Sequence, residues 1–158
     1  MDVRRTTLPI VVGVDDSEAG LRALDWAIDE ALLRGCEVRA LTVWAIEPAV
    51  DTAWTPPEEI RESYQARLDA IVREATADRD EVPPIVTETV EGPPARALVE
   101  AARDASLLVV ATHRGQRLRK ALLGSVSAAC VRHATVPVVV VRPPAAQRRD
   151  GPSPGDVE

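Results

Sequence analysis

Short β-branched apolar runs alternate along this chain with longer stretches whose apolar positions recur at helical spacing. Residues 8–14 (LPIVVGV) form a continuous apolar run, the pattern of a strand buried on both faces. Asp15, Asp16 and Ser17 follow as a turn and a helix N-cap. Leu21, Leu24, Ala27, Ile28, Ala31 and Leu32 then mark one face of a helix, with Gly35 as its stop. Val38 to Trp44 predicts a second strand, and residues 45–57, with Pro48, Pro56 and Pro57, a loop. Residues 58 to about 80 predict a polar amphipathic helix carrying Ile60, Tyr64, Leu68, Ile71 and Val72, ended by Pro83 and Pro84. Residues 85–90 read as a third strand. Gly92-Pro93-Pro94 leads into a helix with Ala95, Leu98, Val99 and Ala102 facing inward, since proline suits a first turn. Leu107 to Ala111 predicts strand four, residues 125–134 a helix, and Val138 to Val141 strand five. Trp26 falls off the most apolar stripe of its helix, and Trp44 and Trp54 fall near or within the loop after strand two, where they are candidates for a partner surface.

Strands alternating with helices predict an α/β fold: an open parallel sheet covered on both faces and joined by right-handed crossovers. Ligands of such sheets sit beyond the carboxyl ends of the strands, where the strand order reverses. Two loops compete for that position, Asp15-Asp16-Ser17 after strand one and Thr112 to Ser125 after strand four. If strands one and four are neighbours, both loops border one crevice.

The second of these loops carries the most chemistry. A strand ends at Ala111-Thr112, passes through a basic segment with Gly115, and reaches Gly124-Ser125-Val126-Ser127 at the start of a helix. A helix N-terminus entered through glycine presents unpaired N–H groups and the positive end of the helix dipole, which suits a phosphate. Arg114, Arg117, Arg119 and Lys120 add positive charge to the same segment. The plain alternative is structural: Asp15 and Ser17 as a helix cap, Gly124 and Ser125 as a turn and a cap.

Composition narrows the classes. The chain has 158 residues, 46% of them apolar, enough for one domain with a real core. We assign residues 8–142 to that domain, residues 1–7 to an extension, and the proline-rich, charged residues 143–158 to a disordered tail. A net charge of −6 argues against a nucleic-acid partner. Cys36 and Cys130 have no metal spacing and read as small buried residues. No signal segment or membrane-length apolar run is present, which predicts a cytoplasmic protein away from membranes. The spacings of a P-loop, a dinucleotide fingerprint and a zinc helix are all absent. His113 lies in the basic segment with no triad-like neighbours, and His133 in the last turn of its helix. The expectation is no catalytic residue, no metal site and no enzyme beyond slow hydrolysis.

Several separate motifs, in order, resemble those of the universal stress protein family: Val12-Gly13-Val14-Asp15-Asp16-Ser17-Glu18, Gly92-Pro93, Leu107-Leu108-Val109-Val110, Gly124-Ser125-Val126-Ser127 and the run from Val136 to Val141. The resemblance covers roughly residues 8–142. It implies a five-stranded parallel sheet in the order 3-2-1-4-5, a Rossmann-like fold of the adenine nucleotide alpha-hydrolase type, which would place strands one and four side by side. It also implies homodimerisation through the last strand and, in one branch of the family, ATP binding through G-x2-G-x9-G-[S/T], with Mg2+ as a companion. Carried over, Gly13, Val14 and Asp15 would lie at the ribose and adenine side and Val43 beside the adenine. Ala111, Thr112 and Gly115 would carry the phosphate loop, and Gly124, Ser125 and Val126 would present N–H groups and a hydroxyl to the phosphates. This chain departs from the motif at Thr112, which replaces the first glycine, and in the eight residues between Gly115 and Gly124. A β-branched residue stiffens a position of free backbone approach, and the shorter spacer tightens the loop. The expected function is an ATP-binding stress-response regulator with an unknown protein partner. The alternatives are a dimeric interaction module of the same fold without nucleotide, and, by fold-level analogy, a slow adenine-nucleotide hydrolase or transferase.

Overall fold

A computed structural model describes residues 7–46, 55–112 and 123–143. Within them the chain runs β1 (Ile10–Gly13), α1 (Glu18–Arg34), β2 (Val38–Trp44), α2 (Pro57–Thr76), β3 (Ile85–Glu91), α3 (Pro94–Ala101), β4 (Leu107–Ala111), α4 (Ser125–His133) and β5 (Val138–Val141). All strand pairs are parallel and the order is β3-β2-β1-β4-β5. This is the α/β sheet and the strand order that the sequence patterns and the family resemblance led us to expect.

Alternating residues of the strands divide the core into two layers. Ile10, Val12, Val38, Ala40, Leu107 and Val109 face α1 and α2, where Leu24, Ala27, Ile28 and Leu68 complete one cluster. Val11, Leu41, Leu108 and Val110 face α3 and α4, where Leu98, Ala102 and Cys130 complete the other. The central strand β1 is apolar on both faces for this reason, and its three valine and isoleucine side chains are wholly buried.

Local chemistry sets the helix ends. The Ser17 hydroxyl accepts from the Gly20 N–H at 3.0 Å and caps α1. Gly35 closes the helix at φ 65°, a left-handed conformation in which its N–H reaches the Ala31 and Leu32 carbonyls. Gly92, at φ 145°, turns the chain between β3 and the proline-led α3.

The structure corrects several local expectations. β1 spans Ile10–Gly13 rather than residues 8–14, because both neighbours pair only with that stretch; Leu8 is half exposed. α2 stops at Thr76, short of residue 80. Arg79 folds back there, its guanidinium donating to the Ala75 carbonyl at 3.1 Å and pairing with Asp29 and Asp25 of α1 at 2.5 and 3.1 Å. Leu21, on the apolar stripe of α1, is 40% exposed, whereas Trp26, off that stripe, packs against the core. Trp44 is buried and stacked on Tyr64, with ring centroids 6.1 Å apart, so it offers no partner surface. Trp54, His113, the basic cluster Arg114, Arg117, Arg119 and Lys120, and residues 144–158 lie outside the described residues.

Candidate functional site

A cavity of about 470 Å³ opens at the carboxyl ends of β1, β2 and β4, between the loop after β1 and the N-terminus of α4. Its position follows from the strand order. The chain leaves β1 through α1 toward β2 on one side and leaves the adjacent β4 through α4 toward β5 on the other, so the two connections diverge and leave a crevice. That volume lies in the range of small-molecule sites.

The walls are mostly apolar. Leu41, Val43 and Val110 contribute from the strands, Pro94 and Leu98 from α3, and Val126 from α4. Gly13 keeps the floor open: a Cβ there would stand 3.0 Å from the Leu98 Cδ2. Where β1 ends, the Val14 N–H donates to the Leu41 carbonyl at 2.8 Å, and the Val14 carbonyl accepts from the Thr42 hydroxyl at 2.9 Å. Alternate residues of β2 face β1 in a parallel ladder, with Glu37 and Leu41 marking the set that does. Val43 is the next of that set, and it lies beyond the last β1 partner.

Polar groups stand at two ends. Asp15 lines one; its Oδ1 accepts from the Ser17 N–H at 3.0 Å and from the Ser17 hydroxyl. The same loop is tied to α2 by an ion pair between Asp16 and Arg67, and it rests on α1 so closely that Gly20 has no room for a Cβ. At the other end α4 begins. Gly124, Ser125, Val126 and Ser127 line the cavity there, and first-turn amides have no acceptor within their own helix. Ser127 is buried and its hydroxyl donates to the Gly124 carbonyl at 3.0 Å.

Of the residues singled out from sequence, Gly13, Val14, Asp15, Val43, Ala111, Gly124, Ser125 and Val126 are thus brought around one cavity. Thr112 is buried behind it, its hydroxyl accepting from the Gly124 N–H at 3.1 Å. Gly115 lies outside the described residues. Leu41, Pro94, Leu98, Val110 and Ser127 were not anticipated as lining. The sequence signal of Leu41, Leu98 and Val110 is that of core positions, Pro94 reads as a first-turn proline and Ser127 belongs to the helix start at Gly124; Leu98 serves both core and cavity.

Cys130 lies on the buried face of α4 and Cys36 just beyond the end of α1. Burial pushes both thiols above their ordinary value, and the nearby Arg34 guanidinium pulls Cys36 partly back. Neither lines the cavity. Among the described residues no group of three or more His, Cys, Asp or Glu side chains is placed to hold a metal ion, and no helix is long and apolar enough to cross a membrane.

Comparison with known proteins gives concordant matches. The model of the universal stress protein family matches residues 7–142. A universal stress protein of Mycolicibacterium smegmatis is 37% identical over 140 residues, which cover 86% of this chain and 46% of that protein. The chain spans about half the length of the curated relatives it matches. Among solved structures, a universal stress protein in complex with cAMP is 27% identical, with a TM-score of 0.63, over 88% of this chain and 99% of the other. A universal stress protein of Archaeoglobus fulgidus in complex with dAMP is 25% identical, with a TM-score of 0.58, over 86% and 98%.

Proposed function

This chain belongs to the universal stress protein family, and we propose that it binds one adenine nucleotide in the crevice between β1 and β4. In this reading it acts as a stress-response regulator without efficient catalysis. The observation that carries the proposal is the division of one cavity into an apolar compartment and an anion-ready end, the first bounded by Val43, Leu41 and Leu98, the second by the first turn of α4.

The division suits the two halves of a nucleotide. A purine ring gains from burial against aliphatic side chains. Val43, past the end of the β1 ladder, has backbone groups within the crevice that match the donor–acceptor edge of adenine. Asp15 is the acceptor for ribose hydroxyls, and the Ser125 and Val126 amides with the Ser125 hydroxyl meet phosphate at the positive end of α4. The bound cAMP and dAMP of the two relatives support an adenine nucleotide as the class. The proposal spans that class from mononucleotides to ATP. With ATP, Mg2+ would be held chiefly by the nucleotide's own phosphates and water, because the described residues provide no acidic cluster for it.

Among the described residues, no activated nucleophile or base beside one stands at the phosphate end. Bound nucleotide therefore serves to order the loops that meet at the crevice, and the ordered surface is what a protein partner reads. A homodimer forms in this reading by antiparallel pairing of two copies of β5. That strand closes one side of the sheet and its four valines remain partly exposed in a single chain.

The test is isothermal titration of nucleotide-stripped protein with AMP, cAMP, ADP and ATP, the last two with Mg2+. The expected result is saturable binding of at least one of them at one site per chain, abolished by Gly124→Asp. That variant places a carboxylate where phosphate should lie, and a Cβ at Gly124 meets nothing closer than 3.7 Å. Undiminished binding by the variant would refute the site.

A further inference from the structure

We propose that occupancy of the crevice is read out on the first half of α2, residues 57–67, through two contacts made by neighbours of cavity residues, an inference that rests on the adenine-nucleotide reading. Asp15 lines the cavity, and the next residue, Asp16, forms an ion pair with Arg67 of α2. Val43 lines the cavity, and the next residue, Trp44, stacks on Tyr64 of α2 with the rings 16° from parallel. Successive side chains of a strand point to opposite faces, which aims Val43 at the crevice and Trp44 at the helix. Tyr64 and Arg67 stand three apart, on one face of α2. One turn of that helix therefore touches the neighbours of both the ribose end and the adenine wall.

Among the described residues, little else fixes this part of α2. Its N-cap, Pro56, makes no side-chain cap hydrogen bond, and Glu58 and Arg61 pair with each other across the exposed first turn. Ile60 is half-buried. Leu68, Ile71, Val72 and Ala75 pack into the core cluster, and no α2 residue before Leu68 belongs to it. Between the two halves the Gln65 side-chain amide donates to the Thr87 hydroxyl of β3 at 3.0 Å. The Trp44 indole N–H is buried without an acceptor among the described residues, so packing against Tyr64 orients that ring. A segment with few buried apolar contacts opens locally with little free energy. A ligand that fixes Asp15 and Val43 holds Asp16 and Trp44 in place and so disfavours that opening. By linkage, loosening the helix weakens the ligand by the same factor.

The decisive experiment is amide hydrogen exchange of the full chain, read by mass spectrometry on peptides covering residues 57–67, with and without whichever of AMP, cAMP and ATP with Mg2+ binds. Exchange there slows about two- to tenfold on saturation, the scale of the two contacts. Isothermal titration supplies the reciprocal measurement. Arg67→Ala raises the dissociation constant about two- to fivefold and Tyr64→Leu about two- to tenfold, and each reduces the protection that the ligand confers. Arg79→Ala is the control: it breaks the ion pairs of the segment after α2 with Asp25 and Asp29, lowering Tm while leaving the dissociation constant alone. A purely structural role for Tyr64 and Arg67 would give that same pattern. Binding with unchanged exchange over residues 57–67, or with parent affinity in folded Arg67→Ala and Tyr64→Leu proteins, overturns the inference and leaves the nucleotide site standing. Absence of binding by all three nucleotides overturns both.

Discussion

Gly20→Ala sets two physical effects against each other, and the structure says which wins. Glycine within a helix costs about 1 kcal/mol relative to alanine, so propensity alone makes this change in α1 stabilising. The Asp15 loop, however, lies against that helix face. A Cβ on Gly20 would collide with the Asp15 carboxylate and stand 2.7 Å from the Asp15 carbonyl oxygen. The carboxylate can rotate away; the carbonyl moves only with the backbone. Overpacking of this kind costs about 1–3 kcal/mol. Displacing the loop also disturbs the Ser17 hydroxyl that caps Gly20 at 3.0 Å, worth about 1 kcal/mol more. The net expectation is a destabilisation of roughly 1–3 kcal/mol, which for a chain of this size lowers Tm by about 3–10 °C. Thermal unfolding followed by circular dichroism measures it. Gly13→Ala is the control: its new Cβ meets only the flexible tip of Leu98, and a loss below about 1 kcal/mol is expected. A Gly20→Ala protein with a Tm equal to or above that of the parent would refute the steric argument. Because Asp15 lines the cavity, the variant also weakens nucleotide binding.

The two thiols give a chemical prediction. Burial raises both above the ordinary thiol value, so at pH 8 a disulfide reagent labels Cys36 and Cys130 slowly in the native protein and rapidly in denaturant. Since the folded values are the raised ones, their stabilising contribution is complete below the unfolded thiol pKa and is lost as pH rises through the folded one. The urea midpoint therefore falls on the alkaline side, and a Cys36→Ala, Cys130→Ala double variant flattens that limb. Pairing through β5 is read by light scattering: the parent has the mass of two chains at micromolar concentration, and Val140→Lys that of one. A parent with the mass of one chain would remove the β5 pairing from the proposed function.

The pattern of apolar residues revealed the elements well because each obeys a local rule. Val11 and Val12 are buried on opposite faces of one strand, and α1 is bracketed by a serine cap and a glycine stop. Strand order was not in that pattern; it depends on which strand packs beside β1 in space, and the family resemblance supplied it. The site divides the same way. Asp15, Gly124 and Ser125 stand out in sequence because turns and helix starts have their own residue types. Leu98 and Val110 do not, since a side chain lining an apolar cavity is chosen by the same burial as one filling a core. The bond between Thr112 and Gly124 was invisible for another reason. It joins two loop ends, and only the folded sheet brings the hydroxyl to the amide.

The placement of β1 at the centre of the sheet has a consequence for how the chain is born. Ile10 pairs with Val38 on one side but with Leu107 on the other. A nascent chain emerging at about 5–20 residues per second therefore makes half of its central strand's contacts early and waits for the rest until the stretch from Leu107 has left the ribosome. During that interval one flank of β1 is an open apolar edge, the type of surface that recruits chaperones or other nascent chains. The crevice does not yet exist, since the wall built from β4 and α4 is the last to arrive. A nucleotide in this site can reward completed folding but cannot guide its first steps.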